Sequence, residues 1–164
     1  MHQLLSGIEY IHSESYTHRD FKPTNILVAQ WDWKTDLPTV KLADFGLAGI
    51  NPDLYVAPEI KAEIAQQKQL QKRTATGYKT VNRPVYYDNS VDIWALGRIS
   101  KELIEKVLNE ITARGKMMAV NKQPAMQLAQ RMMHSSLKER RTASACFTAP
   151  LAYRGQPNRA RPKR

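Results

Sequence analysis

Cysteine, long apolar runs and C-terminal acidic residues are what this sequence has least of. Cys146 is its only cysteine, which excludes an internal disulfide and a cysteine-based zinc site. No apolar run approaches the roughly 18 residues that a membrane span needs. Residues 1–10 show no basic region or cleavage site of the kind that marks a signal peptide. A cytoplasmic or nuclear protein without a membrane partner is therefore the expectation.

The net charge of +10 is unevenly distributed along the chain. Residues 1–111 carry 13 Lys/Arg against 14 Asp/Glu, whereas residues 112–164 carry 12 Lys/Arg against one acid, Glu139. Residues 150–164 are rich in Pro, Gly, Arg and Lys, which predicts a disordered basic tail. From this tail we expect at most weak, salt-sensitive association with nucleic acid rather than specific recognition.

Hydrophobic periodicity predicts one domain over residues 1–149, mainly α-helical with a small β-hairpin. Ile26–Val28 and Val40–Ala43 are the predicted strands, joined by a short loop. The predicted helices span residues 1–15, 60–73, 91–111, 125–134 and 142–147. The helix over 91–111 is apolar nearly all round in its first half, so it is expected to be buried.

Four short motifs occur in a fixed order on this framework. The stretch from His18 to Asn25 (His-Arg-Asp-Phe-Lys-Pro-Thr-Asn) precedes the hairpin, and Asp44-Phe45-Gly46 follows its second strand. Ala57-Pro58-Glu59 comes next, and Asp92-Ile93-Trp94-Ala95-Leu96-Gly97 opens the apolar helix. Each tripeptide alone is weak, but the ordered set is specific. It resembles the catalytic loop, metal-binding turn, activation-segment end and central helix of eukaryotic-type Ser/Thr protein kinases.

The resemblance implies phosphoryl transfer from ATP, with Mg²⁺, to a serine or threonine of a protein substrate. Asp20 would accept the proton of the substrate hydroxyl, and Lys22 would contact ATP and neutralise the transferred phosphoryl group. Asn25 and Asp44 would bind ATP through Mg²⁺, a hard cation that prefers oxygen ligands. The alternative for Asp20 and Asp44 is that they are ordinary capping or turn residues.

Other residues of the motifs are expected to be structural. His18 would brace the loop, and Trp94 would belong to the core. Glu59 and Arg140 resemble the buried ion pair of the family, in which loss of one partner costs about 3–5 kcal/mol.

The chain also departs from the family pattern, and the departures indicate a C-terminal lobe whose N-terminal lobe is absent. No Gly-x-Gly-x-x-Gly occurs, and only 17 residues precede His18, so the loop and strand lysine that hold the ATP phosphates are missing. The activation segment from Asp44 to Glu59 has no Ser or Thr, and Tyr55 is its only hydroxyl. Residues 61–83 look like an insertion, similar to those in kinase-like sequences of filamentous fungi.

These observations leave two main functional hypotheses. The first is a truncated Ser/Thr kinase catalytic domain, and the second is a catalytically inactive pseudokinase or protein-interaction module. Retention of Asp20, Asn25 and Asp44 favours the first, whereas the missing lobe and the altered activation segment favour the second. The sequence indicates no particular substrate, regulator or oligomeric state.

Overall fold

A computed structural model describes residues 1–35, 37–45, 55–74, 88–113, 122–140 and 142–147. Its elements, in chain order, are α1 (His2–Ser13), a 3-10 helix (Pro23–Asn25), β1 (Ile26–Asp32), β2 (Leu37–Leu42), α2 (Pro58–Thr74), α3 (Ser90–Ala113), α4 (Gln123–Met132) and α5 (Ala143–Phe147). The mainly helical fold with a small antiparallel hairpin is therefore confirmed. The predicted tail and part of the predicted insertion, residues 75–83, lie outside the described residues.

The first half of α3 forms the centre of the core, as its apolar composition predicts. Nearly every side chain from Val91 to Ser100 is buried. The buried face of α1 packs against it, together with side chains of α4 and α5, and the members of this cluster include Leu5, Ile8, Phe21, Ile93, Leu96, Met132 and Cys146. None of the helices in the described ranges is long and apolar enough to cross a membrane.

Helix α4 approaches α3 closely because residue 97 is a glycine. A Cβ atom on Gly97 would lie 2.8 Å from Met132 Cβ and 3.0 Å from the backbone oxygen of Ala129. Met132 Cβ and the Ala129 oxygen are fixed by the backbone of α4, and Met133 Cγ adds a third contact at 2.9 Å, so no room is left for a side chain. Helix α4 begins at Gln123, before the predicted residue 125, because Pro124 is tolerated in a first helical turn.

The β-hairpin is longer than predicted, since residues assigned to its loop continue the strands. Trp31 and Asp32 belong to β1, and Pro38 belongs to β2. The strands pair from Ile26 opposite Leu42 to Asp32 opposite Leu37, with an irregularity between Val28 and Gln30. Hydrogen bonds to the Asp32 carboxylate, first from the Thr35 hydroxyl and then from the Lys34 N–H, lower the pKa of Asp32 and fix the turn.

One side chain of α1 secures β2 to the helix. The Gln3 amide donates from Nε2 to the Pro38 carbonyl at 2.9 Å, and its Oε1 accepts the Val40 N–H at 2.8 Å. Leu42 packs beside Gly7 on the same helix. The hairpin is thus attached through β2, whereas the side chains of Leu27 and Val28 on β1 remain more than half exposed.

Most side chains of α2 over residues 58–69 are exposed, as its composition predicts, but its first turn is anchored in two ways. Ile60 is buried in a second, smaller apolar cluster with Ala57 and Val91, against which Trp94 packs half-buried. Trp94 therefore lies at the margin of the main core rather than within it. Glu59 forms the expected ion pair with Arg140, with nitrogen–oxygen distances of 2.7 and 3.0 Å.

Substitution of Gly97 by alanine tests the α3–α4 contact. We expect Gly97→Ala to lower the free energy of unfolding by about 1–3 kcal/mol, because the methyl group meets atoms that cannot move aside. Gly7→Ala in α1 is the matched control, since its Cβ would meet only the flexible end of Leu42, 3.3 Å away. Gly7→Ala should be neutral or stabilising by up to about 1 kcal/mol through helix propensity. Urea denaturation measures the free energy of unfolding of both variants. Equal changes would contradict a close approach of α4 to α3 at Gly97.

The buried ion pair gives a second stability prediction. Arg140→Met should cost about 3 kcal/mol, because it leaves Glu59 partly buried without its partner. This loss of stability lies at the low end of the range for breaking a buried ion pair, because the Glu59 side chain keeps 26% exposure. The control is Lys101→Met, which breaks an exposed pair with Glu105 at 3.8 Å and should cost less than about 1 kcal/mol. Similar losses in the two variants would show that Arg140 is not the anchor of α2.

Candidate active site

The loop between α1 and the hairpin is held by the buried carboxylate of Asp92. One oxygen of Asp92 accepts the His18 N–H at 2.8 Å, and the other accepts the Arg19 N–H at 2.9 Å. His12 Nε2 lies 2.9 Å from the first of these oxygens. Arg19 has a φ of 68°, a left-handed conformation that needs support from its surroundings in a residue other than glycine. The contacts to Asp92 supply that support at the residue immediately before Asp20.

Three of the four predicted site residues form one cluster directly after this anchor. Lys22 Nζ lies 2.8 Å from Asp20 Oδ2. The amide of Asn25 donates from Nδ2 to the Asp20 backbone carbonyl at 2.8 Å and to Asp20 Oδ2 at 3.2 Å. The side chains of Asp20 and Lys22 are 28% and 29% exposed, so solvent and ligands can reach them. The structure therefore brings together Asp20, Lys22 and Asn25 through direct contacts.

The fourth residue, Asp44, follows β2 where that strand meets Asn25. The Ala43 N–H donates to the Asn25 carbonyl at 2.9 Å, which fixes the end of β2 against the loop. Asp44 is exposed and has a φ of 61°. Its neighbour in the motif, Phe45, packs its ring 5.0 Å from that of His18. Gly46, the last residue of the motif, lies outside the described residues.

His18 has the bracing position that was predicted for it. Its side chain is buried, with Nε2 3.0 Å from the Ala43 carbonyl. Its ring also packs edge-on against Phe21 at 5.5 Å. His18 thus joins the loop to the end of β2, and it faces away from solvent as a structural residue would.

The oxygen atoms of this site suit a hard cation that completes its shell with water and phosphate. The described residues contain no group of three or more His, Cys, Asp or Glu side chains that could hold a metal alone. Mg²⁺ does not require such a cage, because it is bound through one or two protein oxygens together with substrate phosphates. Since Asn25 uses Nδ2 to hold Asp20, its Oδ1 is the atom that suits a cation, and Asp44 adds a negative charge. The donor set therefore fits Mg²⁺ with a nucleotide.

Sequence reasoning did not identify two residues on which the site depends. The motif around Asp92 indicates no partner for its carboxylate, and no motif contains His12. A signal for Asp92 was present, since an acid within a buried apolar helix needs hydrogen bonds or a counter-charge. No comparable signal marked His12, which lies on the ordinary amphipathic helix α1.

Comparison with known proteins places these motifs in a family. The model of the protein kinase domain family matches residues 1–152. A probable myosin light chain kinase of Dictyostelium discoideum is 34% identical over 114 residues, which are 62% of this chain and 26% of the relative. The mitogen-activated protein kinase HOG1 of Scheffersomyces stipitis is 37% identical over 113 residues, or 63% of this chain and 23% of the relative. The chain spans about a quarter of the length of these relatives.

Solved structures give the same assignment at the level of the fold. The Rad53 kinase domain with SCD2 superposes with a TM-score of 0.55 at 26% identity, covering 91% of this chain and 52% of that chain. The structure of the same kinase domain and SCD2 in complex with AMPPNP gives a TM-score of 0.54 at 24% identity, covering 91% of this chain and 55% of that chain. With the family model matched over 152 residues, the chain belongs to the protein kinase domain family.

Proposed function

We propose that this chain is the C-terminal, catalytic lobe of a Ser/Thr protein kinase, which transfers a phosphoryl group from ATP to a serine or threonine of a protein. The observation that carries the proposal is the cluster of Asp20, Lys22 and Asn25. Their contacts orient an accessible carboxylate beside an ammonium group, as the transfer requires. The AMPPNP complex of a Rad53 kinase domain, of which this chain covers about half, supports ATP as the phosphoryl donor.

The geometry suggests how Asp20 would receive the substrate proton. Both side-chain contacts of Asp20, from Lys22 and Asn25, fall on Oδ2. Oδ1 of the same carboxylate is then the oxygen available to a substrate hydroxyl. A base acts when it lies within hydrogen-bond reach of the proton that it removes. With Oδ2 held in place, the carboxylate can accept a hydrogen bond from the hydroxyl and orient that oxygen for attack.

The other site residues would neutralise phosphate charge rather than transfer protons. They are Lys22, Asn25 and Asp44. Phosphoryl transfer needs little covalent participation by the protein, so positioning and charge neutralisation carry most of the catalysis. The Lys22 ammonium, now paired with Asp20, would also face the transferred phosphoryl group. Asn25 and Asp44 would hold Mg²⁺, which neutralises phosphate charge when it is bound. A lysine two residues after the base supports a serine or threonine acceptor.

Low activity of this chain alone follows from the same proposal. The sequence has no glycine loop or strand lysine to hold the ATP phosphates, and Leu27, Val28 and Leu37 of the hairpin are exposed. Exposed apolar residues on one element can also bind another polypeptide. This observation favours the second candidate, a non-catalytic interaction module of the kinase family. The two candidates differ in whether phosphoryl transfer depends on Asp20.

Substitution of the base separates these candidates. The chain and its Asp20→Asn variant are incubated with labelled ATP, Mg²⁺ and a general protein acceptor such as casein. We expect Asp20→Asn to lower incorporation by at least about 100-fold, the usual contribution of a positioned base. Asp32→Asn, in the hairpin turn, is the matched control and should retain activity. The label should appear on serine or threonine, and equal background from chain and variant would contradict phosphoryl transfer by this chain.

Metal binding gives a prediction that does not depend on turnover. In the presence of ATP, binding of Mn²⁺ as a spectroscopic substitute for Mg²⁺ can be followed by electron paramagnetic resonance. Asp44→Asn removes a charged oxygen ligand, so we expect the dissociation constant for Mn²⁺ to rise roughly tenfold or more. Asp32→Asn should leave it unchanged. If Asp44→Asn binds Mn²⁺ as tightly as the parent chain, Asp44 is not a metal ligand.

A further inference from the structure

A cavity of about 510 Å³ lies between α1, the start of α3 and the segment that leads into α5. Small-ligand sites typically occupy roughly 300–1,000 Å³. The four predicted site residues, Asp20, Lys22, Asn25 and Asp44, are not among the described residues that line it. The cavity is therefore a separate feature, and an inference drawn from it stands independently of the proposed function.

Positive charge at the cavity wall is already neutralised. Arg140 directs both terminal nitrogens to the Glu59 carboxylate, and its Nε donates to the His134 carbonyl. Nη1 also donates to the Ser90 carbonyl at 3.1 Å. The other basic group at the wall, His12, faces the Asp92 carboxylate. Each of these two basic groups already has a carboxylate partner, so neither is available to an anion that enters the cavity.

In the part of the chain that the structure describes, the two acids at the wall have neutral partners only. Glu9 accepts a hydrogen bond from the Ser144 hydroxyl, and Asp88 accepts the Ser90 N–H at 2.8 Å. Both partners are neutral. Within the described ranges, no lysine or arginine forms a salt bridge with Glu9 or Asp88. The same wall includes apolar side chains from Ile93, Leu137 and Ala143.

We infer that this cavity binds an organic cation, namely a guanidinium or ammonium group on a short aliphatic chain. The carboxylates of Glu9 and Asp88 would attract the charged end, and the apolar part of the wall would cover the aliphatic chain. A free diamine and a Lys or Arg side chain of a peptide both supply this chemistry. The cavity differs from a general hydrophobic pocket in this pairing of two acids with a partly apolar wall.

The position of the cavity gives such a ligand a route to the candidate active site. His12 lines the cavity and contacts Asp92, which holds the backbone of His18 and Arg19. Arg140 also lines it and holds Glu59 at the start of α2. A bound cation would therefore touch two side chains that anchor functional segments, although it would lie outside the active site itself.

Titration of the chain with agmatine, a guanidinium on a four-carbon amine, tests the inference by calorimetry. We expect saturable binding, with the dissociation constant at least fivefold higher in Glu9→Gln and in Asp88→Asn. Both variants keep a side-chain acceptor, and asparagine remains a good residue at a helix N-terminus. Glu110→Gln, an exposed acid on α3 away from the cavity, is the control and should change binding less than twofold. Thermal denaturation establishes that each variant is folded.

A second arm distinguishes the sources of the cation. Acetyl-Leu-Arg-Leu-amide should bind more tightly than agmatine if the site takes an arginine of a peptide, and less tightly if it takes a free amine. In either case Glu9→Gln should weaken binding. Absence of saturable binding by both probes would overturn the inference. So would equal weakening by Glu110→Gln, or displacement of agmatine by inorganic phosphate at constant ionic strength.

Discussion

The buried carboxylate of Asp92 joins three parts of the fold, namely α1, α3 and the loop that carries Asp20. It is 1% exposed and takes contacts from His12 and from the backbone of His18 and Arg19. A carboxylate in such a place is strongly unfavourable unless its oxygens are hydrogen-bonded. Because the donors come from the loop and from α1, satisfying Asp92 requires both to be in place. The apolar helix α3 thereby fixes the position of the polar loop. The left-handed backbone conformation of Arg19 then sets the direction of the chain at Asp20.

Arg140 plays a corresponding part where α2 and α3 begin. Apolar packing brings α4, α5 and the first turn of α2 to the central helix, but such packing is not directional. The contacts of Arg140 with Glu59, the His134 carbonyl and the Ser90 carbonyl are directional. The fold therefore uses apolar residues for adhesion and a few buried charged groups for alignment. Arg140 itself lines the cavity, and so does His12, which contacts Asp92.

Much of this arrangement could be predicted from the sequence. The helical periodicity located the helices to within a few residues, and the ordered motifs identified the family and the cluster of Asp20, Lys22 and Asn25. Local patterns were less reliable where a distant residue decides the outcome. The extension of the hairpin through Trp31 and Pro38 depends on pairing between strands and on Gln3 of α1. The role of His12 depends on a carboxylate 80 residues away, which no local pattern can show.

The attachment of β2 to α1 has a consequence for solubility. Pro38 and Val40 turn their backbone groups away from β1, and at an open sheet edge such groups can pair with a strand of another molecule. Gln3 occupies this position with one carbonyl and one amide group, the same two groups that a peptide unit of a neighbouring strand would offer. Pro38 contributes no N–H to that edge. A single glutamine thus occupies the place of a third strand at Pro38 and Val40 and withholds these two backbone groups from intermolecular β-pairing.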